Sequence, residues 1–212
     1  MNKSAITKLK NKIELIGDYG KTLIVGVFHG DEPQGKFLIE EYLKNNDTNG
    51  LLFIPCLNPD GMQLKTRTNS NGVDLNRNFP TKNWELTKKN EFFGGMSAGS
   101  EIETKFLMDT INEFKPQLIL TLHAPYKIVN YDGPAREISE KISEIIGYPV
   151  EESIGYPTPG SFGTYAGIER EIPAITLELD EVCPVQDLVK PVFEIFDMLK
   201  KSCLLYTSPS PR

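Results

Sequence analysis

The chain has two histidines, and each closes an apolar run. His29 follows Leu23-Ile24-Val25-Gly26-Val27-Phe28, and His123 follows Gln117-Leu118-Ile119-Leu120-Thr121-Leu122. Runs this short, rich in β-branched and aromatic residues, read as buried strands. In open α/β sheets ligands bind beyond the carboxyl ends of the strands. Two imidazoles at two strand ends therefore favour a parallel sheet with a site beyond one end. His29 leads into Gly30-Asp31-Glu32 and then Pro33, whose missing N–H suits the first turn of a helix. The corner thus carries an imidazole and a carboxylate three positions apart, able to meet at one point.

The remaining pattern alternates strands with helices, which predicts an α/β fold with a largely parallel central sheet. Residues 13–16, a turn over 17–20 and the run 21–28 predict a hairpin leading into the central strand. Helices are expected over 34–44, 101–114, 136–146 and 186–200, and further strands over 51–57 and 172–179. Pro55 points to a sheet edge or a bulge. Ser100 is the expected cap of the second helix, with Glu103 completing a capping box. The segment 124–135 reads as a loop, and so does the glycine-rich 155–167. Between 58 and 100 periodicity vanishes, and a loop that long inside a domain is usually functional. Asn58-Pro59-Asp60-Gly61 within it is a turn by composition.

At 212 residues the chain suits one domain with a sizeable core. A formal net charge of −6 argues against a general nucleic-acid binder, and no apolar run approaches a membrane span. The N-terminus lacks the apolar core of a signal peptide. Cys56, Cys183 and Cys203 do not form a disulfide framework, so a cytoplasmic protein with free thiols is expected. The catalytic domain is expected over 1–202. The Ser- and Pro-rich segment 203–212 reads as a non-native or disordered tail.

Zinc takes neutral imidazole nitrogen and carboxylate oxygen, and catalytic sites use three protein ligands with a fourth position open. His29, Glu32 and His123 fit that set, one ion per chain. In Ala174-Ile175-Thr176-Leu177-Glu178-Leu179, Glu178 shares a face with Thr176, opposite the apolar residues. A carboxylate there is costly to bury unless partnered, and it is placed to take a proton from water beside the metal. Arg67 and Arg77 are the arginines of the long loop. A guanidinium fork matches a terminal carboxylate, and a positive group is needed where charge develops on oxygen. Arg77 with Asn76 suits the first role and Arg67 the second.

His29-Gly30-Asp31-Glu32, Asn58-Pro59-Asp60-Gly61, Gly72-Val73-Asp74-Leu75-Asn76-Arg77-Asn78-Phe79, His123 and Thr176-Leu177-Glu178-Leu179 resemble, in order and approximate spacing, the zinc carboxypeptidases of the carboxypeptidase A type. The resemblance implies a three-layer α/β/α fold with a mixed, mostly parallel sheet. It implies zinc on His29, Glu32 and His123, a carboxylate-binding pair Asn76 and Arg77, Arg67 on the scissile carbonyl, and Glu178 as general base. Within the family, the short length, the Thr-Pro-Gly-Ser-Phe-Gly loop and the Tyr-Asp-Gly-Pro-Ala segment look most like the murein peptide amidases. Those cytoplasmic enzymes cut the γ-D-glutamyl–meso-diaminopimelate bond, so a small cell-wall muropeptide is the implied substrate, with no nucleic acid and no membrane. Two positions depart from the pattern. Asp31 stands where digestive members carry an arginine, and the tyrosine that closes over substrate could be Tyr156 or Tyr165. The rival expectations are a zinc N-acyl amino acid deacylase of the aspartoacylase or succinylglutamate desuccinylase kind, and a non-catalytic peptide-binding module. The complete Asn-Pro-Asp-Gly favours the peptidase.

Overall fold

The computed structural model describes residues 3–17, 19–152 and 158–205. β1 (Ser4–Ile6) and β2 (Lys12–Glu14) pair as a small antiparallel hairpin. β3 (Gly20–Gly26) leads through the His29 corner into α1 (Gln34–Asn45) and then β4 (Gly50–Ile54). The long segment that follows holds a short helix, α2 (Pro59–Leu64), and a 3-10 turn over Leu75–Arg77. α3 (Ile102–Phe114), β5 (Leu118–His123), β6 (Ile128–Asp132), α4 (Arg136–Ile146), β7 (Val150–Glu151), β8 (Ala174–Glu178) and α5 (Val189–Leu205) complete the order.

The main sheet runs β4-β3-β5-β8-β6-β7. Among the described residues, only its β6–β8 pairing is antiparallel. Side chains alternate across it. Ile24, Phe53, Leu120, Ile175 and Leu177 pack with Leu38, Tyr42, Ile142, Ile195 and Phe196 on the side of α1, α4 and α5. Leu23, Val25, Leu52 and Ile119 pack with Phe106, Leu107 and Ile111 of α3 on the other, joined by Leu75, Phe79, Phe162 and Tyr165 from the loops. This is the expected three-layer α/β/α arrangement. Burying each such Leu, Ile or Phe contributes roughly 1.5–3 kcal/mol, so both faces of the sheet are well paid for.

Several local expectations change. β3 is apolar on both faces, so it takes the sheet interior between β4 and β5, and the hairpin forms upstream between β1 and β2. Among the described residues Ile16 does not pair with β3 as expected; it forms an isolated antiparallel bridge with Phe53 of β4. The segment 124–135 contains β6, whose Asn130, Asp132 and following Gly133-Pro134 mask a strand by composition. Asn58-Pro59-Asp60-Gly61 opens a helix: Asn58 caps α2 by accepting from the Gly61 N–H at 2.9 Å, with Pro59 in the first turn. The capping box at α3 does not form. Glu101 is the cap residue, Ser100 Oγ donates to Glu101, and Glu103 accepts from Asn69 Nδ2 at 3.2 Å. β4 is an edge strand, as Pro55 indicated. α5 begins at Val189 and continues to Leu205, against the expected 186–200.

Glu103 lies buried with Glu101 nearby, and Asn69 bridges the two carboxylates. Burial, reinforced by Glu101 and Asp60, raises its pKa from 4.5 to about 7. The folded state therefore holds a proton that the unfolded chain releases, and stability falls as pH rises from about 4.5 to 7. That interval is worth on the order of 3 kcal/mol, several degrees of melting temperature for a chain this size. Glu103→Gln keeps the acceptor for Asn69 and should flatten the decline. Thermal melts of both proteins across that pH range check it; parallel curves would remove Glu103 as the cause.

Candidate metal centre and active site

β3, β5 and β8 are adjacent and parallel, so their carboxyl ends bring His29, His123 and Glu178 side by side. His123 and Glu178 are register partners. Beyond β3 the backbone turns sharply: Val27 adopts a φ of 54°, uncommon for a β-branched residue. The corner is wedged against α2. A Cβ on Gly30 would lie 1.9 Å from the Gly61 carbonyl carbon, so the two signature segments meet glycine to glycine. Asn58 Nδ2 secures the contact by donating to the Phe28 carbonyl at 3.1 Å.

His29 Nδ1 lies 2.7 Å from Glu32 Oε1, and His123 Nδ1 lies 3.1 Å from Glu32 Oε2. One ligand atom from each residue falls within 4.8 Å of the others. The Ala124 N–H donates to Glu32 Oε2 at 3.2 Å. On its far side, His29 Nε2 meets Asp74 Oδ1 at 3.2 Å. A carboxylate there holds the proton on Nε2 and leaves the Nδ1 lone pair for a metal. Burial disfavours a charged His29, but Glu32 and Asp74 outweigh it and raise its pKa to about 9. Burial likewise works against the Glu32 charge, yet His29 and His123 hold its carboxyl far below the usual range. The cluster draws positive charge. Its donor set of two imidazoles and one carboxylate is that of a catalytic zinc site.

Glu178 adds a second observation. It is 8 % exposed, and its Oε2 is a buried atom with no hydrogen-bond partner among the described residues. Burial raises its pKa, an effect that His123 partly offsets. An unsatisfied carboxylate oxygen beside the imidazoles leaves an acceptor position for a water at the metal. The residues therefore fit the ion.

A cavity of about 570 Å³ opens onto these groups, and Arg67, Asn76 and Arg77 share its wall. Arg67 is anchored to Asp74 Oδ2 through Nε and Nη2, each at 3.1 Å, while its Nη1 faces Glu32 at 3.8 Å. Asn76 Oδ1 accepts from the Phe162 N–H at 2.8 Å, which leaves the Asn76 amide group as the donor for the cavity. Arg77 Nη1 donates to the Asn76 carbonyl at 2.7 Å. Seven of the expected residues thus converge on one space. Tyr165 does not join them. It is buried against Phe79, with the Arg170 guanidinium 3.4 Å from its ring centroid, because the segment bearing it packs under α3's side of the sheet. Tyr156 lies outside the described residues.

Two residues escaped the sequence reading. Asp74 is 0 % exposed and joins His29, Arg67 and the Asn76 N–H. An acid between Val73 and Leu75, in a loop otherwise free to be polar, was its signal. Tyr126 is 57 % exposed on the cavity wall, and nothing in its loop marked it.

A model of the zinc carboxypeptidase family matches residues 23–146. The chain belongs to that family. This zinc carboxypeptidase domain is 33% identical over 157 residues to murein peptide amidase A of Escherichia coli K12, spanning 68% of this chain and 64% of that protein. It is 32% identical over 181 residues to murein peptide amidase A of Vibrio campbellii, covering 76% and 69%. The crystal structure of murein-tripeptide amidase from Escherichia coli O157 superposes with a TM-score of 0.82 at 26% identity, over 97% and 91% of the two chains. Family membership implies zinc, and the ligand geometry accommodates it.

Proposed function

We propose that this zinc carboxypeptidase domain is a zinc-dependent amidase that hydrolyses murein peptides at the γ-D-glutamyl–meso-diaminopimelate bond, releasing the residue that bears the free carboxylate. One observation carries the reading: a single cavity joins the His-Glu-His cluster, the unsatisfied Glu178 and the Asn76–Arg77 pair. His29, Glu32 and His123 would hold one zinc, which lowers the pKa of water toward about 7 and polarises a carbonyl. Arg77 and the Asn76 amide group bind the terminal carboxylate and fix the scissile bond's position. Arg67, rigid against Asp74, supplies positive charge beside the carbonyl oxygen as it becomes anionic. Glu178 takes the proton from the attacking water and passes it to the departing amine. The likeness to murein peptide amidases, together with the free thiols Cys56 and Cys183, supports a cytoplasmic muropeptide substrate.

Assay of the purified protein on murein tripeptide, on its C-terminal amide and on N-acyl amino acids tests the reading. Cleavage of the tripeptide is expected, abolished by a chelator, restored by zinc and weakened on the amide. Preference for N-acyl amino acids would assign a deacylase. Zinc-independent binding without cleavage would assign a peptide-binding module.

A further inference from the structure

Phe92 and Phe93 are adjacent aromatic residues with opposite surroundings. Phe93 is buried, and its carbonyl accepts from the Asp74 N–H at 2.8 Å. The next carbonyl, of Gly94, accepts from Asn78 Nδ2 at 2.7 Å. These bonds tie the segment along the residues that flank Asn76 and Arg77. Phe92 is left 42 % exposed on the cavity wall. Its ring centroid lies 5.3 Å from Arg67 Cζ and 6.0 Å from Arg77 Cζ. A large apolar group gains little from so exposed a place by burial alone. Both distances fall in the range where an aromatic ring attracts a guanidinium.

We propose that Phe92 is a positioning residue for substrate binding: one ring shared by two guanidiniums, which holds Arg77 in the orientation that receives the terminal carboxylate. The proposal rests on the reading of Arg77 as the carboxylate binder. Arg67 and Arg77 carry like charges into one cavity, and a neutral ring with negative π density draws both while keeping water from their inner surfaces. Arg67 is already fixed by two contacts with the buried Asp74 carboxylate, so losing the ring moves it little. Arg77 keeps its bond to the Asn76 carbonyl but loses the ring face beside its guanidinium, and because Arg77 acts in binding the loss shows in KM more than in kcat.

The test compares Phe92→Ala, Phe92→Leu and Phe92→Tyr in the zinc-loaded protein, on a free-acid peptide and its C-terminal amide. It adds the NMR signals of the Arg67 and Arg77 Nε–H groups. Alanine and leucine should raise KM for the free acid about 3- to 10-fold, with kcat and the amide's kcat/KM changed less than about twofold. Tyrosine, which keeps the ring, should restore the parent KM. The Arg77 Nε–H signal should carry a ring-current shift in the parent and in Phe92→Tyr, and lose it in Phe92→Leu. Leucine performing as well as tyrosine, a kcat loss at constant KM, or no ring-current shift in the parent would each overturn the proposal. If no peptide is cleaved by the parent while the shift persists and vanishes in Phe92→Leu, the ring platform stands and the proposed function falls.

Discussion

Glu178→Gln should retain zinc at the parent stoichiometry and bind substrate with little change, yet lose turnover by roughly 10²- to 10⁴-fold, the range for a missing general base. Glutamine matches the shape of the side chain but cannot accept a proton. The site makes that difference decisive. Glu178 ends β8 opposite His123, mostly buried, with one carboxylate oxygen unpartnered among the described residues. Burial raises its pKa, which strengthens its hold on the proton until the amine leaves. Metal analysis with single-turnover kinetics on the tripeptide checks this. A variant with intact zinc and turnover within about tenfold of the parent would refute the base assignment.

The elements that would carry the proposed chemistry are legible because they are constrained twice. An apolar strand that must be buried ends in a side chain that is costly to bury, and this conjunction marks His29, His123 and Glu178, which the fold brings together at one end of the sheet. The α/β class follows from strands alternating with helices, and β3 and β5 are apolar enough to require cover on both faces. What stayed hidden depends on distant partners. β6 is half polar, and it forms a strand because β8 offers its Ala174–Glu178 edge for antiparallel pairing with Ile128–Asp132. Asn58 and Gly61 read as a turn because their work, capping α2 and admitting Gly30, is tertiary. Ser100 and Glu103 had the right spacing for a capping box, but Glu101 and Asn69 outcompeted the helix end for their side chains. Tyr165 had the right chemistry on a glycine-rich loop, and nothing local revealed that Phe79 and Arg170 enclose it.

Asp74 shows most plainly what a linear reading misses, and its replacement has the second large expected effect. In Asp74→Asn the shape is kept and the buried charge is lost. His29 Nε2 then donates to a neutral acceptor or to none, and outer partners of metal-bound histidines typically contribute 10- to 100-fold to metal affinity. Zinc should bind more weakly by about that factor. Arg67 loses both charged contacts at once, so its guanidinium is no longer held in the place that the proposed mechanism requires. The two losses separate experimentally. Saturating zinc should refill the site without restoring kcat, because Arg67 remains unanchored. If that account holds, Asp74→Asn combined with Arg67→Ala should cost little more in kcat than Arg67→Ala alone, since both act through the same guanidinium. Competition with a metal indicator gives the affinity, and the four-way comparison of kcat at saturating zinc gives the coupling. Unchanged zinc affinity in Asp74→Asn would mean that Glu32 and the turn at Val27 suffice to orient His29. Full additivity of the two losses would mean that Asp74 supports turnover by a route other than Arg67.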